Sequence, residues 1–176
     1  MFHKFNSKIV TLMLSALFLA ASSQAHAQVN GENILFVGSG SGKDAGSKAY
    51  SVGFLRVSNS TDRVWGVDVG GEGYMEDSTW GNYKSSKQAT SFNVLFGKNL
   101  HTGDGYRIDG TLIAGVREKS SSCSKSYLGY QCYADTAPDT KYSLNYGALL
   151  AVSYKSLTLG VRATGESKQA FLGIRF

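Results

Sequence analysis

One stretch of the chain, from Tyr142 to Tyr154, alternates without a break between apolar residues and residues that are mostly polar or small. Every second side chain, beginning and ending with a Tyr, is apolar, whereas the positions between them include Ser143, Asn145 and Ser153. A period of two predicts a β-strand with one wholly apolar face. At about 3.3 Å per residue and a tilt of about 45°, this strand rises roughly 28 Å, close to the ~25 Å apolar band of a membrane β-barrel. Strands of soluble sandwiches usually have only about five or six residues. The stretch therefore predicts a membrane-spanning strand.

The same alternation recurs along the chain and predicts eight strands. They lie near residues 33–42, 48–58, 63–76, 89–100, 106–118, 142–155, 156–165 and 169–176. The first two are the least regular, because apolar residues occupy both parities after Ile34 and the pattern slips near Leu55 and Arg56. Short connections alternate with longer or more polar ones, as in a bacterial barrel of even strand number. We therefore predict an all-β fold, an eight-stranded antiparallel up-and-down transmembrane β-barrel.

Periodicity alone does not tell which face of the barrel lies inside. A soluble barrel of the lipocalin type would turn its apolar face inward and its polar face to water. The length of the span, the Tyr residues that bound it and the aromatic Phe176 at the end of the last strand favour the membrane arrangement.

The first 27 residues have the organisation of a secretory signal peptide. Lys4 and Lys8 precede an apolar stretch at 9–21, and Ala25-His26-Ala27 is a small-x-small cleavage site. The apolar run of about 13 residues is too short for a membrane helix, which needs ~20. We predict a signal peptide at 1–27 and a barrel at 28–176. Without the two lysines, dispersed basic residues exceed acidic ones only slightly, which argues against a nucleic-acid partner.

The C-terminal stretch at 169–176, Gln-Ala-Phe-Leu-Gly-Ile-Arg-Phe, is an alternating strand that ends in an aromatic residue. It resembles the C-terminal assembly signal of outer-membrane barrels, carried here by Leu172, Gly173, Ile174 and Phe176. Together with the signal peptide, the chain resembles the small eight-stranded outer-membrane proteins, such as the OmpA transmembrane domain, OmpX and the opacity-type barrels. The resemblance implies export to the periplasm, insertion into the outer membrane of a Gram-negative bacterium, and recognition by the barrel-assembly machinery. It selects no single family and implies no activity, since such barrels include structural proteins, adhesins and lipid-modifying enzymes.

Residues that could support catalysis are scarce. The only His after the signal peptide, His101, is predicted to lie in a periplasmic turn, away from outer-leaflet lipid. Gly165-Glu166-Ser167 lacks the second Gly of a nucleophile elbow and is predicted to be an external turn. The segment 38–44 fails the phosphate-loop pattern at Val37 and Asp44. We therefore expect no enzymatic activity, no cofactor and no metal site.

The longest predicted loop holds the only two cysteines, Cys123 and Cys132. In an exported protein this pair predicts a disulfide that orders the loop. Tyr127, Tyr130 and Tyr133 lie in or beside the resulting ring. They form either a contact surface for a host or envelope partner, because Tyr offers large contact area at low entropic cost, or local packing around the disulfide.

Charged residues fall on the face that we assign to the lumen. They are Asp68, Arg107, Asp109, Arg117, Arg162 and Arg175. Because an unpaired buried charge costs several kcal/mol, we predict that Asp109 pairs with Arg107 or Arg175 and that Asp68 reaches Arg162 across the lumen. Another acid, such as Glu72, is needed to balance the arginines, and Arg107 and Arg117 are the best candidates for solvation at the rims.

The sequence thus favours an integral outer-membrane barrel with a structural or surface-interaction role and no open pore. An outer-membrane lipid-modifying enzyme and a soluble exported ligand-binding barrel are the alternatives. The biological role, the ligand of the loops and the oligomeric state are left open by the sequence.

Overall fold

The computed structural model describes residues 31–43, 47–58, 60–76, 86–120 and 139–176. They form eight strands: β1 (Gly31–Gly42), β2 (Lys48–Ser58), β3 (Arg63–Glu76), β4 (Ser86–Thr102), β5 (Tyr106–Ser120), β6 (Thr140–Tyr154), β7 (Leu157–Thr164) and β8 (Ser167–Arg175). Each strand pairs antiparallel with its neighbours in the chain, and β1 pairs with β8 to close the barrel. The predicted eight-stranded antiparallel up-and-down barrel is confirmed. No helix in the described part of the chain is long and apolar enough to cross a membrane.

The two ends of the barrel differ in their connections. We call one the short-turn end; it carries the connections from β2 to β3, β4 to β5 and β6 to β7. We call the other the long-loop end, since the longest connection, from β5 to β6, lies there. The two-residue turn at Lys155 and Ser156 has φ of 51° at Lys155. A positive φ at this position matches the twist of a tight hairpin to that of its strands.

The seam between β1 and β8 continues one residue past the last strand. The Asn33 N–H donates to the Phe176 carbonyl at 2.8 Å, and the Phe176 N–H donates to the Asn33 carbonyl at 2.9 Å. The seam therefore joins the two strands that are farthest apart in the chain.

The side chains alternate between a lumen-facing and an outward-facing set, and the apolar faces point outward. In β6 the outward set includes Tyr142, Leu144 and Tyr146, each about two-thirds exposed, whereas Asn145 and Leu149 are buried inside. This is the reverse of the arrangement expected of a soluble barrel, in which water covers the outside.

The slip that the sequence indicates near Leu55 and Arg56 is absent. Burial alternates regularly along β2, with Leu55 fully buried in the lumen and Arg56 facing outward. The pattern looks irregular because the lumen is itself apolar here, so both faces of the strand carry apolar residues. Arg56 lies near the strand end, where its guanidinium donates to Asn33 Oδ1 at 3.3 Å.

Ten buried apolar side chains form one cluster inside the barrel, mostly in the parts of their strands nearer the short-turn end. This apolar cluster consists of Ile34, Phe36, Leu55, Val57, Val64, Leu95, Ile113, Leu149, Ala151 and Phe171. It includes the rings of Phe36 and Phe171, whose centroids are 4.9 Å apart. Glycines make room for these rings: a Cβ on Gly53 would collide with Phe36, and one on Gly160 with Phe171.

A β-bulge interrupts β3 between Gly71 and Tyr74, where the register against β4 shifts. Gly73 occupies the bulge with φ of 72°, a left-handed conformation that favours glycine. Both Glu72 and Gly73 are buried, whereas Tyr74 points outward and is 42% exposed. Glu72 faces the lumen by the same alternation as Asp68 and Gly70, and the bulge after it returns Tyr74 to the outer face.

Candidate functional site

A cluster of buried charges lies in the lumen around Arg162, which is two residues from the long-loop end of β7. The Arg162 Nε donates to Asp68 Oδ2 at 2.9 Å, and its Nη2 donates to Asp68 Oδ1 at 3.1 Å. This bidentate arrangement is the strongest geometry available to an arginine and a carboxylate. Arg162 Nη1 also forms an ion pair with Glu72. All three side chains are fully buried.

Neutral side chains from three strands complete this cluster. The Asn93 Nδ2 donates to Asp68 Oδ1 at 2.6 Å. The Asn145 Nδ2 lies 3.0 Å from Glu72 Oε2 and 2.8 Å from Asn93 Oδ1. The Thr164 hydroxyl donates to Glu72 Oε2 at 2.9 Å. We call Asp68, Glu72, Asn93, Asn145, Arg162 and Thr164 the polar cluster; it links β3 and β4 to β6 and β7 across the lumen.

The polar cluster holds two carboxylates against a single guanidinium. Buried charges are tolerated when they are paired and when their remaining lone pairs accept hydrogen bonds. Arg162 supplies the pairing, and the amides of Asn93 and Asn145 supply donors to the carboxylates. The arrangement is therefore a hydrogen-bonded bridge between opposite walls of the barrel.

The other predicted lumen charges form separate pairs. Arg107 and Asp109, two residues apart on β5, are both buried, and Arg107 Nε lies 2.8 Å from Asp109 Oδ1. Arg175 does not pair with Asp109; its Nη1 lies 3.4 Å from Glu32 Oε2 on β1. Of the two partners that we predict for Asp109, the structure brings Arg107 to it.

Arg117 pairs with a residue that the sequence analysis places only in a turn. Its Nη2 lies 3.0 Å from Glu166 Oε1, and both side chains are partly exposed at the long-loop end. The sequence analysis missed Glu166 and Glu32 as partners. Glu32 could have been found by considering barrel closure. It shares the lumen-facing parity of Ile34 and Phe36 on β1, and β1 must pair with β8, which carries Arg175.

His101 lies within β4 and not in a turn, which corrects the sequence-based expectation. The strand runs to Thr102 because pairing with β5 resumes after a register shift between Asn99 and His101. The His101 Nε2 is 3.0 Å from the Tyr106 hydroxyl, and both side chains are exposed at the short-turn end. In the described ranges, no three His, Cys, Asp or Glu residues are placed to hold a metal ion.

The cysteines and tyrosines of the long loop lie outside the described residues. These are Cys123, Cys132, Tyr127, Tyr130 and Tyr133. The disulfide and the contact surface stay predictions. Gly165 and Glu166 connect β7 to β8, as expected of a turn, whereas Ser167 is the first residue of β8. The external position of this turn stays a prediction.

The residues of the predicted assembly signal lie along β8 and just beyond it. Leu172 and Ile174 point outward with 50% and 62% of their surfaces exposed. Gly173 faces inward against β1, where an added Cβ would lie 2.8 Å from the Leu35 carbonyl oxygen. Phe176 is exposed at the short-turn end.

The outer face of the barrel is a continuous apolar band. Exposed aliphatic side chains occur on every strand, among them Val37, Val52, Val67, Val94, Leu112, Leu144, Leu159 and Leu172. Outward-facing charged side chains that the structure describes lie within four residues of a strand end: Lys48, Arg56, Arg63, Lys98, Glu118 and Lys168.

Aromatic side chains border this band at both ends. Tyr50, Tyr74 and Tyr142 each lie two residues from a strand end at the long-loop end. Trp65, Tyr106, Tyr154 and Phe176 lie at the short-turn end. Two girdles of exposed aromatic side chains on either side of an aliphatic band are typical of a surface in contact with a lipid bilayer.

No protein-family model matches this chain, and no curated protein matches it. Among solved structures, it is similar to Ail, the attachment invasion locus protein of Yersinia pestis, in its complex with the heparin analogue sucrose octasulfate. The two share 18% sequence identity and a TM-score of 0.44, over 84% of this chain and 100% of Ail. This distant likeness assigns the chain to no family.

Proposed function

We propose that the chain is an integral outer-membrane β-barrel protein of a Gram-negative bacterium, with a structural or surface-interaction role. The observation that carries the proposal is the outer apolar band with its two aromatic borders. An exposed apolar surface of this extent is unfavourable in water, since soluble monomers rarely expose patches beyond a few hundred Å². In a bilayer the same surface is matched by the acyl chains, and the Tyr and Trp rings lie at the headgroups.

The orientation follows from the connections. In bacterial outer-membrane barrels the short turns face the periplasm and the longer loops face outside. The short-turn end then lies at the periplasm, and the long loop with Cys123 and Cys132 lies at the cell surface. A partner would bind at this surface, where Tyr127, Tyr130 and Tyr133 offer aromatic contact area.

The role that we propose involves neither catalysis nor conduction. The polar cluster and the apolar cluster both occupy the lumen, and an eight-stranded barrel is just wide enough to be filled by its side chains. We therefore expect no steady single-channel conductance from the purified monomer in planar bilayers. Reproducible unitary currents would contradict a closed lumen.

The direct test of the proposal is gel mobility before and after boiling, using detergent extracts of a membrane fraction. A folded membrane barrel keeps its compact form in the gel until it is boiled and therefore migrates differently before heating. We expect the protein in the outer-membrane fraction with such a shift. Recovery of the whole product from the soluble periplasmic fraction would overturn the proposal.

A pair of substitutions tests whether the band contacts lipid. Val94 is the middle residue of β4, points outward and is 59% exposed. Val94→Arg should lower the unfolding free energy in lipid vesicles by about 2–4 kcal/mol, because a charge at the bilayer midplane is desolvated. Ser41→Arg, outward near the long-loop end of β1, is the control and should cost about 0–1 kcal/mol. Equal stability of the two variants would show that Val94 contacts water.

A further inference from the structure

An open groove of about 970 Å³ crosses the outer face of β4 to β7. Its volume is within the ~300–1,000 Å³ range of small-molecule sites. One row of cross-strand partners forms its length, from Phe96 to Leu112, Ala148 and Ala163. Ala148 and Ala163 lie directly opposite each other, so the surface is recessed there between larger side chains.

The groove is inclined to the barrel ends. Arg63, which lines one extremity, is the first residue of β3 at the short-turn end. Ala163, at the other extremity, is the residue before the last of β7, toward the long-loop end. A chain molecule in the groove would therefore run from the short-turn rim into the apolar band.

Two cations stand at the rim of the groove. Arg63 and Lys98 are direct cross-strand partners on the outer face, and both are exposed. Like charges placed directly opposite each other destabilise a strand pair. Neither side chain forms an ion pair with a residue that the structure describes. An anion between them would remove this repulsion.

Asp62 also lines the rim, next to Arg63. Two cations and one carboxylate leave the rim with a single net positive charge. This net charge of +1 matches one phosphodiester with an uncharged headgroup substituent, and it would not balance a dianionic group.

We infer that the groove binds one anionic glycerophospholipid, with its phosphate between Arg63 and Lys98 and an acyl chain over Ala148 and Ala163. The inference rests on the proposed membrane location, in which the short-turn rim meets the headgroups of the periplasmic leaflet. Headgroup and chain are then recognised by two parts of one continuous site, the cations at the rim and the small residues inside the band.

Trp65 provides a local reporter for this site. It is the outward cross-strand partner of Phe96 and lies two residues from Arg63. The only other Trp in the chain is Trp80. In a Trp80→Phe background, quenching of Trp65 by brominated acyl chains reports which lipid occupies the groove.

The experiment uses phosphatidylcholine vesicles that contain a minor fraction of brominated-chain phosphatidylglycerol, phosphatidylethanolamine or phosphatidylcholine. We expect phosphatidylglycerol to be preferred over phosphatidylcholine by about fivefold or more, the effect of one basic residue near a membrane surface. Arg63→Gln combined with Lys98→Gln should abolish the preference. The matched control, Lys48→Gln with Lys168→Gln, removes two outward lysines at the long-loop end and should leave the preference unchanged.

A second pair of variants tests the acyl part of the groove. Ala148→Phe fills the recess and should reduce quenching by phosphatidylglycerol at every concentration, whereas Ala114→Phe, outward on β5 and outside the groove, should not. Both side chains point outward, so neither change disturbs the lumen.

Three results would overturn the inference. They are equal quenching by all three lipids, a preference for phosphatidylethanolamine, and a phosphatidylglycerol preference that survives loss of Arg63 and Lys98. The heat-dependent gel shift of the same vesicle samples separates these results from failure of the proposed function. A protein that shows the shift but no lipid preference refutes the lipid site alone, whereas a protein that does not insert refutes both.

Discussion

The lumen contains two clusters that are held together differently, and all their side chains except the half-buried Thr164 are buried. The apolar cluster, nearer the short-turn end, consists of side chains whose contributions come from contact area and packing. The polar cluster, nearer the long-loop end, depends on Arg162 and on the carboxylates that it binds. The loss of an apolar side chain lowers the free energy of unfolding by an amount that depends on the size of the side chain. The loss of one charge leaves another charge buried without its partner.

The two clusters also differ in how strictly they define the arrangement of the strands. Apolar side chains can repack with several neighbours, so the apolar cluster tolerates exchange of similar shapes. The bidentate contact between Arg162 and Asp68 requires β3 and β7 to face each other at one register. We expect the polar cluster to define the arrangement of the walls and the apolar cluster to supply a graded share of the stability.

The largest effect is expected from Arg162→Met. This change removes the only cation of the polar cluster and leaves Asp68 and Glu72 buried with no counter-charge. We expect a loss of about 3–5 kcal/mol, as for other broken buried ion pairs. The measurement is the midpoint of thermal unfolding in detergent, followed by gel mobility at one heating rate, since such unfolding is commonly irreversible. A midpoint equal to that of the unchanged protein would show that the cluster contributes no net stability.

A smaller effect is expected from Asp68→Ala. Arg162 keeps Glu72 as its counter-ion, so the cost should be nearer the ~1–3 kcal/mol of buried hydrogen-bonding groups left unsatisfied. Asp68→Asn, which retains an acceptor oxygen of similar shape, should cost less than Asp68→Ala. Asp104→Ala, which removes an exposed carboxylate from a turn, is the control. If Asp68→Ala and Asp104→Ala unfolded at the same temperature, the ion pair would be dispensable and the contrast between the clusters would fail.

The smallest effect is expected in the apolar cluster, from Ile113→Val. Ile113 is 2% exposed, and removal of one methylene should cost about 1 kcal/mol. The same heating experiment should place this variant closest to the unchanged protein. An Ile113→Val variant less stable than Asp68→Ala would reverse the proposed ranking of the two clusters.

Local patterns were sufficient to predict most of the barrel. The period of two is a property of each strand by itself, which is why β6 could be predicted from Tyr142 to Tyr154 before any pairing was known. The pattern was misleading where its physical basis was weak. At Leu55 both faces of β2 are apolar, so no local contrast distinguishes inside from outside. At His101 the polar end of β4 has no period, and only pairing with β5 extends the strand.

Residues of the candidate site could be predicted where the direction of the side chain follows from its own strand. They could not be predicted where the contact depends on another strand. Asp68 and Arg162 were assigned to the lumen from their own strands, and the structure brings them together. The bulge that returns Tyr74 to the outer face depends on pairing with β4, and the Arg175 contact with Glu32 depends on closure between β1 and β8. Such contacts are set by tertiary arrangement, which no single segment encodes.

The seam at Asn33 and Phe176 has a consequence for the order of assembly. Until β8 meets β1, both strands present unpaired N–H and C=O groups, which invite pairing with other chains. Every other pairing joins neighbouring strands and can form early, whereas this one spans nearly the whole barrel and carries the greatest loop-closure entropy. The chain is therefore exposed to aggregation until β1 and β8, its most distant strands, pair. A chaperone that covers β1 and β8 during transit would prevent the pairing with other chains to which these two strands are open.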